Sequence, residues 1–327
     1  MKKLAPLDPA MDVSVVIVNW NGVQWLPQCL ESLRGVEGIR KEVIVVDNAS
    51  QDASVDAVRQ GFREVELIVN SRNLGFAQGN NQGLRRGRGR HFFLLNNDTI
   101  LQPGCLESLV RFLDTHPRAG IVAGHLVDPD GSTQFRYYPV ALPTLASLSA
   151  DLLWLNRLWP RHRLGRGALA RKWNPHEPSR MEQIPGACML VRRETFEAVG
   201  LFDESYRFWY EDVDLCTRCL RAGWEIWYVP EARIVHYGGA STKHLDLPSQ
   251  SLLRFGSMLR YGHGYFPPLQ FTLLKLVVGL VLVLRLLFVM GARLWPSARS
   301  RRLLKGVWQA YVQLLEELVT APRTRSP

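Results

Sequence analysis

Cysteine is scarce in this chain, and the loops that mark common nucleotide and ester enzymes are missing. Five cysteines scattered through 327 residues are too few for a disulfide framework, so a reducing compartment is the default expectation. Cys216 and Cys219 form a lone CxxC; with no second Cys or His pair nearby, an ordinary buried pair suits it better than zinc. No apolar run follows Met1, Lys2 and Lys3, where Pro6, Asp8 and Asp12 stand instead. No signal peptide is therefore expected, and the catalytic body is expected to stay in the cytosol. No Walker phosphate loop, G-x-S-x-G elbow or G-x-G-x-x-G occurs, which excludes the usual NTPase, hydrolase and dinucleotide readings.

Acidic charge is also in short supply, but only at one end. Residues 251–327 hold 11 basic and 2 acidic groups, whereas residues 1–250 hold 29 and 28. A nearly neutral body argues against a nucleic-acid groove, and the basic tail suits an anionic surface, most simply phospholipid. With 46% hydrophobic residues, the chain can bury one large core or two smaller ones.

From Val13 onward, short β-branched runs alternate with helical patterns. Val13–Asn19, Glu42–Asp47, Val65–Val69 and His91–Leu95 read as strands, and Trp25–Arg34, Asp52–Gln60 and Phe76–Arg86 as helices between them. Such an order predicts an α/β fold with a mostly parallel central sheet covered by helices. Parallel sheets bind ligands at the carboxyl ends of their strands. Here those ends carry Asn19 and Asn21, Asp47 and Asn48, Asn70 to Asn73, and Asn96-Asn97-Asp98. A helix is expected after Pro103. Residues 125–185 break the alternation with tryptophans, prolines and a basic run from Arg157 to Lys172. They read either as an insertion shaped for an acceptor or membrane, or as a surface excursion with structural aromatics. Ala187–Val191 resumes a strand; Glu194–Val199 and Glu211–Ala222 read as helices.

Leu269–Met290 is a 22-residue apolar run interrupted by Lys275 and Arg285. Each apolar residue favours insertion by roughly 0.3 to 0.6 kcal/mol and each central charge opposes it by up to about 3. A single span, a re-entrant hairpin and an in-plane helix all stay open. Arg293, Arg299, Arg301, Arg302 and Lys305 favour a cytoplasmic flank. Leu303–Val319 reads as an amphipathic helix, either at the interface or packed on the body.

Six segments in register resemble glycosyltransferase family 2, whose nucleotide-sugar-binding α/β fold is called GT-A. They are Val13–Gly22, Val43–Asp52, Asn73–Ala77, Leu94–Thr99, Pro185–Leu190 and Phe208–Trp224, and the resemblance covers roughly residues 12–240. The Asn-Asn-Asp form of the acidic motif is similar to the branch of rhamnosyltransferases and galactofuranosyltransferases. The resemblance implies a donor half over 12–124, an acceptor and catalytic half over 125–264, and a membrane-associated segment over 265–327 after an N-terminal tail of residues 1–11.

By the same resemblance, Asp98 and His236 would hold a divalent cation, Mn²⁺ or Mg²⁺, with the imidazole favouring Mn²⁺. Asp47 would accept the imide N–H of a uracil or thymine base, its competing role being to cap the following turn. Asn19, Arg72, Asn73, Asn97 and Gly186 would complete the donor site. Asp212 would be the general base, Glu211 its support, and Trp209 a stacking surface for an acceptor sugar. Asn80 and Asn81 could face solvent, and Asp214 pairs with Arg218 at i,i+4. One base and one donor site imply inversion. The expected partners are a nucleoside-diphosphate sugar, dTDP-rhamnose before UDP-sugars, and a saccharide or polyprenyl-linked acceptor at the cytoplasmic face of the membrane. A processive synthase would carry Gln-x-x-Arg-Trp and several spans, and a sugar nucleotidyltransferase a Gly-rich opening loop with Arg and Lys; neither is present. A non-catalytic membrane scaffold on the same fold is the reading from a different class.

Overall fold

The computed structural model describes residues 4–135, 137, 141–155, 173–206, 208–238, 247–292 and 306–316. The basic run from Arg157 to Lys172 and the arginines between residues 293 and 305 lie outside the described residues. The chain forms two compact units. One is drawn from Met1–Leu142, Ala168–Arg207 and Glu211–Ser241, the other from Pro143–Gly167, Phe208–Tyr210 and Thr242–Pro327.

The first unit is built on β1 (Val13–Asn19), β2 (Lys41–Asp47), β3 (Glu66–Val69) and β4 (His91–Asn96), joined by α1 (Leu26–Arg34), α2 (Ser54–Gly61) and α3 (Phe76–Leu84). These strands pair in parallel in the order β3-β2-β1-β4, as the alternating sequence predicts. Val13, Val15, Val16 and Ile17 and the run Phe92–Leu94 are fully buried, because a parallel strand is covered on both faces. Helix α3 comes unusually close to β1. A Cβ at Gly83 would collide with the Val16 side chain, so glycine sets that approach.

Beyond β4 the sheet changes character. It is completed by β5 (Thr99–Leu101), β6 (Ala119–Val127), β7 (Ser179–Met181), β8 (Cys188–Arg192) and β9 (Glu225–His236). The full order is β3-β2-β1-β4-β8-β6-β9-β5, with β7 on β9. The pairs β4/β8, β6/β8, β5/β9 and β7/β9 are antiparallel and β6/β9 is parallel. The sheet is thus mixed rather than mostly parallel. Antiparallel neighbours need no crossover helix, which is why the strand-helix rhythm fades in this half. The β6/β9 register jumps between Gly124 and His125, and Pro230, which has no N–H to give a ladder, falls in the stretch of β9 left out of it. Three helices, α4 (Cys105–Thr115), α6 (Arg193–Val199) and α7 (Glu211–Arg221), belong to this half.

The second unit gathers α5 (Leu145–Leu152), α8 (Leu247–Tyr265), α9 (Pro268–Ala292) and the helical residues 306–316. Thr144 caps α5 in a reciprocal capping box with Ser147. Leu148, Phe255, Met258, Leu274, Val278, Leu282, Leu286, Tyr311 and Leu314 form its core. Helix α9 buries every fourth residue from Leu274 to Leu286 and leaves Leu269, Leu273, Leu276, Leu280, Leu284 and Leu287 exposed on its opposite face. Tyr311 is turned inward, so the final helix packs within its own unit.

Candidate active site

Three adjacent strands of the parallel half end on polar residues, and the structure ties them together sideways. Asn97 Nδ2 donates to Asn19 Oδ1 at 2.7 Å, and Asn19 Nδ2 donates to Asp47 Oδ2 at 2.8 Å. Asp47 also accepts the Ser50 backbone N–H at 2.8 Å and its hydroxyl at 2.6 Å. Asn19, Asp47 and Asn97 are all buried. Asp47 therefore caps the turn after β2 and holds the ladder, with both carboxylate oxygens engaged inside the protein. Gly22 is required beside it, because a Cβ there would strike both Asn97 Nδ2 and Asn19 Oδ1.

The loop after β3 is held by a second set of amides. Asn70 and Gln82 exchange hydrogen bonds at 2.8 and 2.9 Å, and Asn70 also donates to Asn48 Oδ1 at 3.0 Å. Asn73 Oδ1 accepts the Gly75 N–H, while Arg72 and Asn73 themselves are exposed at the loop's surface. Asn80 and Asn81 do not face solvent; both are buried. Asn80 donates back to Phe76 O within α3, and Asn81 clasps the backbone of Phe202 through both its amide atoms. On an amphipathic reading these polar residues belong outside; Asn80 is met within its own helix and Asn81 by chain 121 residues away.

The charged residues assemble on the other half of the sheet. Because β5 runs antiparallel to β9 with Thr99 opposite His236, Asp98 just before β5 is brought to the end of β9, where its carbonyl accepts the Tyr237 N–H at 3.0 Å. His236 Nε2 then lies 3.5 Å from Asp98 Oδ1, both side chains buried. That spacing lets both atoms reach one ion at about 2.1 Å each, and one nitrogen with one carboxylate oxygen suits Mn²⁺. Among the described residues no third His, Cys, Asp or Glu joins them, so further ligands would have to be substrate oxygens or water. The residues present fit such an ion.

Asp212 is tied to the end of β4 through β8. The Asn96 N–H donates to Ala187 O at 3.0 Å, and the Gly186 N–H donates to Asp212 Oδ2 at 3.1 Å. Burial pushes the Asp212 carboxyl above its ordinary value, against the lowering pull of the Gly186 and Val213 N–H groups. Burial, and then the Asp212 charge, push Glu211 up further. Its Oε2 has no hydrogen-bond partner. Of these two neighbouring carboxyls, Glu211 holds its proton the more tightly. Asp214 pairs with Arg218 at 2.8 Å, as their i,i+4 spacing predicts.

Trp209 and Tyr210 immediately precede α7 in the chain and belong to the helical unit. Their φ angles are 63° and 69°, a left-handed pair that two aromatic residues adopt only when surrounding structure imposes it. Within that unit, Phe208 O accepts the Ser257 hydroxyl at 3.0 Å, and Tyr210 packs on Tyr261. Sequence reading missed Gln134, Gly22 and this strained pair. Gly22 sits inside the Asn-Trp-Asn-Gly segment and was open to detection; nothing near Gln134 marks it.

Comparison with known proteins agrees with this architecture. The family model described as Glycosyl transferase family 2 matches residues 14–200, and that described as Glycosyl transferase family group 2 matches residues 172–314. An N-acetylglucosaminyl-diphospho-decaprenol L-rhamnosyltransferase of Mycobacterium tuberculosis is 30% identical over 277 residues, covering 79% of this chain and 88% of the relative. A low-salt glycan biosynthesis hexosyltransferase of Haloferax volcanii is 22% identical, with 85% of each chain covered. Among solved structures, a mannosyltransferase of Pyrobaculum calidifontis in complex with GDP-Man and Mn²⁺ aligns with a TM-score of 0.52 at 17% identity, over 98% of this chain and 87% of that one. GalNAc-T7 with UDP, GalNAc and Mn²⁺ gives the same TM-score over 70% of this chain and 44% of that one, at 19% identity. The sheet, the order of its motifs and these likenesses together make the chain a glycosyltransferase of family 2, with the GT-A fold.

Proposed function

We propose that this glycosyltransferase moves a single sugar, with inversion, from a nucleoside-diphosphate sugar to a hydroxyl of a saccharide or polyprenyl-linked acceptor. The donor is dTDP-L-rhamnose in the first instance and a UDP-sugar in the second. The observation that carries the reading is the Asp212 carboxylate, raised by burial and held by the Gly186 N–H beside the end of β4. A carboxylate with a raised pKa is a stronger base toward an acceptor hydroxyl. Glu211, holding its proton, leaves Asp212 as the acceptor of the hydroxyl's proton. No residue is nominated as a nucleophile on the opposite sugar face, so a direct displacement is the simplest course.

Asp98 and His236 would hold a divalent cation, Mn²⁺ before Mg²⁺, which would stabilise the negative charge developing on the leaving diphosphate. Asn19, Asp47 and Asn97 support the donor crevice as its tied floor. Arg72, Asn73 and the Gly186 backbone would meet the nucleotide sugar, and Trp209 the acceptor. The rhamnose and lipid-linked assignments rest on the relative from M. tuberculosis. In this reading residues 12–124 bind donor, 125–264 bind acceptor and carry catalysis, and 265–327 associate with an anionic membrane at its cytoplasmic face.

The pattern of α9 supports an in-plane, monotopic contact. The segment Pro268–Phe288 has a mean hydropathy of 2.4, long enough to span. Its two charges, however, both lie toward the packed side, Arg285 over the rings of Phe255 and Tyr311 and Lys275 beside Phe271. An apolar stripe free of charge, backed by helices bearing exposed Arg254 and Arg260, suits burial of one face in a lipid surface. Leu276→Glu with Leu280→Glu should abolish flotation with anionic liposomes; unchanged flotation would overturn the contact.

The donor site is tested by thermal shift with dTDP, UDP, GDP and CMP, with and without Mn²⁺, on the wild type and Asp98→Ala. Stabilisation by one pyrimidine diphosphate that requires Mn²⁺ and disappears in the variant is expected. Absence of stabilisation by any of the four would move the reading to a non-catalytic scaffold on the same fold.

A further inference from the structure

The hairpin that follows β6 folds back so that Thr133 bridges Val127 and delivers Gln134, buried, beside the end of β9. Its amide makes three bonds. Nε2 donates to Asp128 Oδ1 at 2.7 Å and to the His236 carbonyl at 2.6 Å, while Oε1 lies 2.9 Å from His236 Nδ1. The first two partners are pure acceptors, so the opposite setting of the amide would press its oxygen against a carboxylate and a carbonyl. The amide orientation is therefore fixed, with oxygen toward the imidazole. Facing a carbonyl oxygen, Nδ1 must carry a hydrogen, and in the neutral ring Nε2 must then be a lone pair.

That lone pair points to the side where Asp98 Oδ1 stands 3.5 Å away. With Nδ1 taken up by the amide, Nε2 is the ring nitrogen left to meet a cation beside Asp98. The geometry points to Gln134 as a positioning residue that locks His236 in the Nδ1–H tautomer and so keeps Nε2 presented, with Asp98, to a divalent cation. This inference rests on the cation reading above and extends it: the neutral amide does here what a carboxylate or carbonyl commonly does behind a metal-binding histidine. Asp128 has a part in it too, since its carboxylate holds the amide's donor end and thereby fixes which end faces the ring.

The test has two readouts besides turnover, both on the full-length protein. In ¹⁵N-histidine spectra of the metal-free wild type, with the signal assigned through His236→Gln, His236 should show a protonated Nδ1 and an unprotonated Nε2. In Gln134→Met, of similar length, the Nε2–H form should gain population. Mn²⁺ titration by electron paramagnetic resonance in the presence of dTDP or UDP should show affinity falling about 10- to 100-fold in Gln134→Met. Wild-type Mn²⁺ binding that the variant equals would overturn the role of Gln134 alone. An Nε2–H tautomer or a doubly protonated ring in the wild type would also overturn it, and needs no variant to fold. Failure of the wild type to bind Mn²⁺ with either nucleotide would instead overturn the cation reading and this inference with it.

Discussion

The two halves of the sheet treat their buried polar groups in opposite ways. At the carboxyl ends of β1, β2 and β4, Asn97, Asn19, Asp47 and Ser50 hand hydrogen bonds from strand to strand until each is engaged. On the other half, Asp98 Oδ1 and His236 Nε2 stand buried 3.5 Å apart, and Glu211 lies buried against Asp212 with an oxygen left over. The first arrangement is what a scaffold needs, since an unmet buried polar group costs about 1–3 kcal/mol. A leftover oxygen such as that of Glu211 is tolerated only where something else repays it, and reactive carboxyls with shifted pKa values collect in such places. The difference teaches that the polar residues of the parallel half hold the site's shape, while those of the mixed half are the ones to which the proposed function gives the chemistry.

The comparison breaks most visibly at Asp212. Asp212→Asn keeps the side chain's size and its bond from Gly186 but removes the base. Sugar transfer per folded molecule should fall about 10²- to 10⁴-fold. The melting temperature should hold or rise, because a buried carboxylate beside another acid is replaced by a neutral amide. Retained turnover would sink the base assignment, and a collapse in stability would mean that the mixed half is scaffold as well.

The reciprocal change belongs to the ladder. Asn97→Ala leaves Asn19 Oδ1 buried without its donor and should cost about 1–3 kcal/mol, read as a lowered denaturant midpoint. Transfer per folded molecule should fall much less than in Asp212→Asn. Should Asn97→Ala instead silence the enzyme at undiminished stability, Asn97 would be a substrate contact and the division between the halves would fail.

That division also explains what could be read in the sequence. The parallel half was legible because β1, β2 and β3 are short β-branched runs, each followed by an amphipathic helix; β1, β3, α1 and α3 fall within about two residues of the expected bounds. The mixed half was not. Strand β6 is buried along all nine residues, a continuous apolar run with no alternation to mark it. Strand β9 is broken by Pro230, which argues locally against a strand. Asp98, Glu211 and Asp212 stood out as motifs, and Asp98 and His236 were paired by resemblance; the antiparallel β5/β9 register is what brings them to 3.5 Å. Gln134 stayed invisible because its role exists only through a hairpin and two bonds to a residue 102 positions away.

The subtlest way to sharpen the comparison is through pH. Glu211 and Asp212 bind protons more tightly in the folded protein than their ordinary values of 4.5 and 3.8. Above about pH 4.5 the unfolded chain releases protons that the folded one still holds, so the pair's contribution to stability declines as pH rises until the folded groups ionise too. In Glu211→Gln only the share of that decline that belongs to Asp212 should remain, so its stability relative to wild type should climb with pH from about 4.5 upward, as followed by urea midpoints across a pH series. Transfer by the wild type should move the other way, rising with pH as Asp212 loses its proton. Asn97→Ala should parallel the wild type in both series, displaced to lower stability, since no proton changes hands in its bond to Asn19; a slope altered in that variant would tie the ladder to the acid pair and merge the two halves into one electrostatic unit.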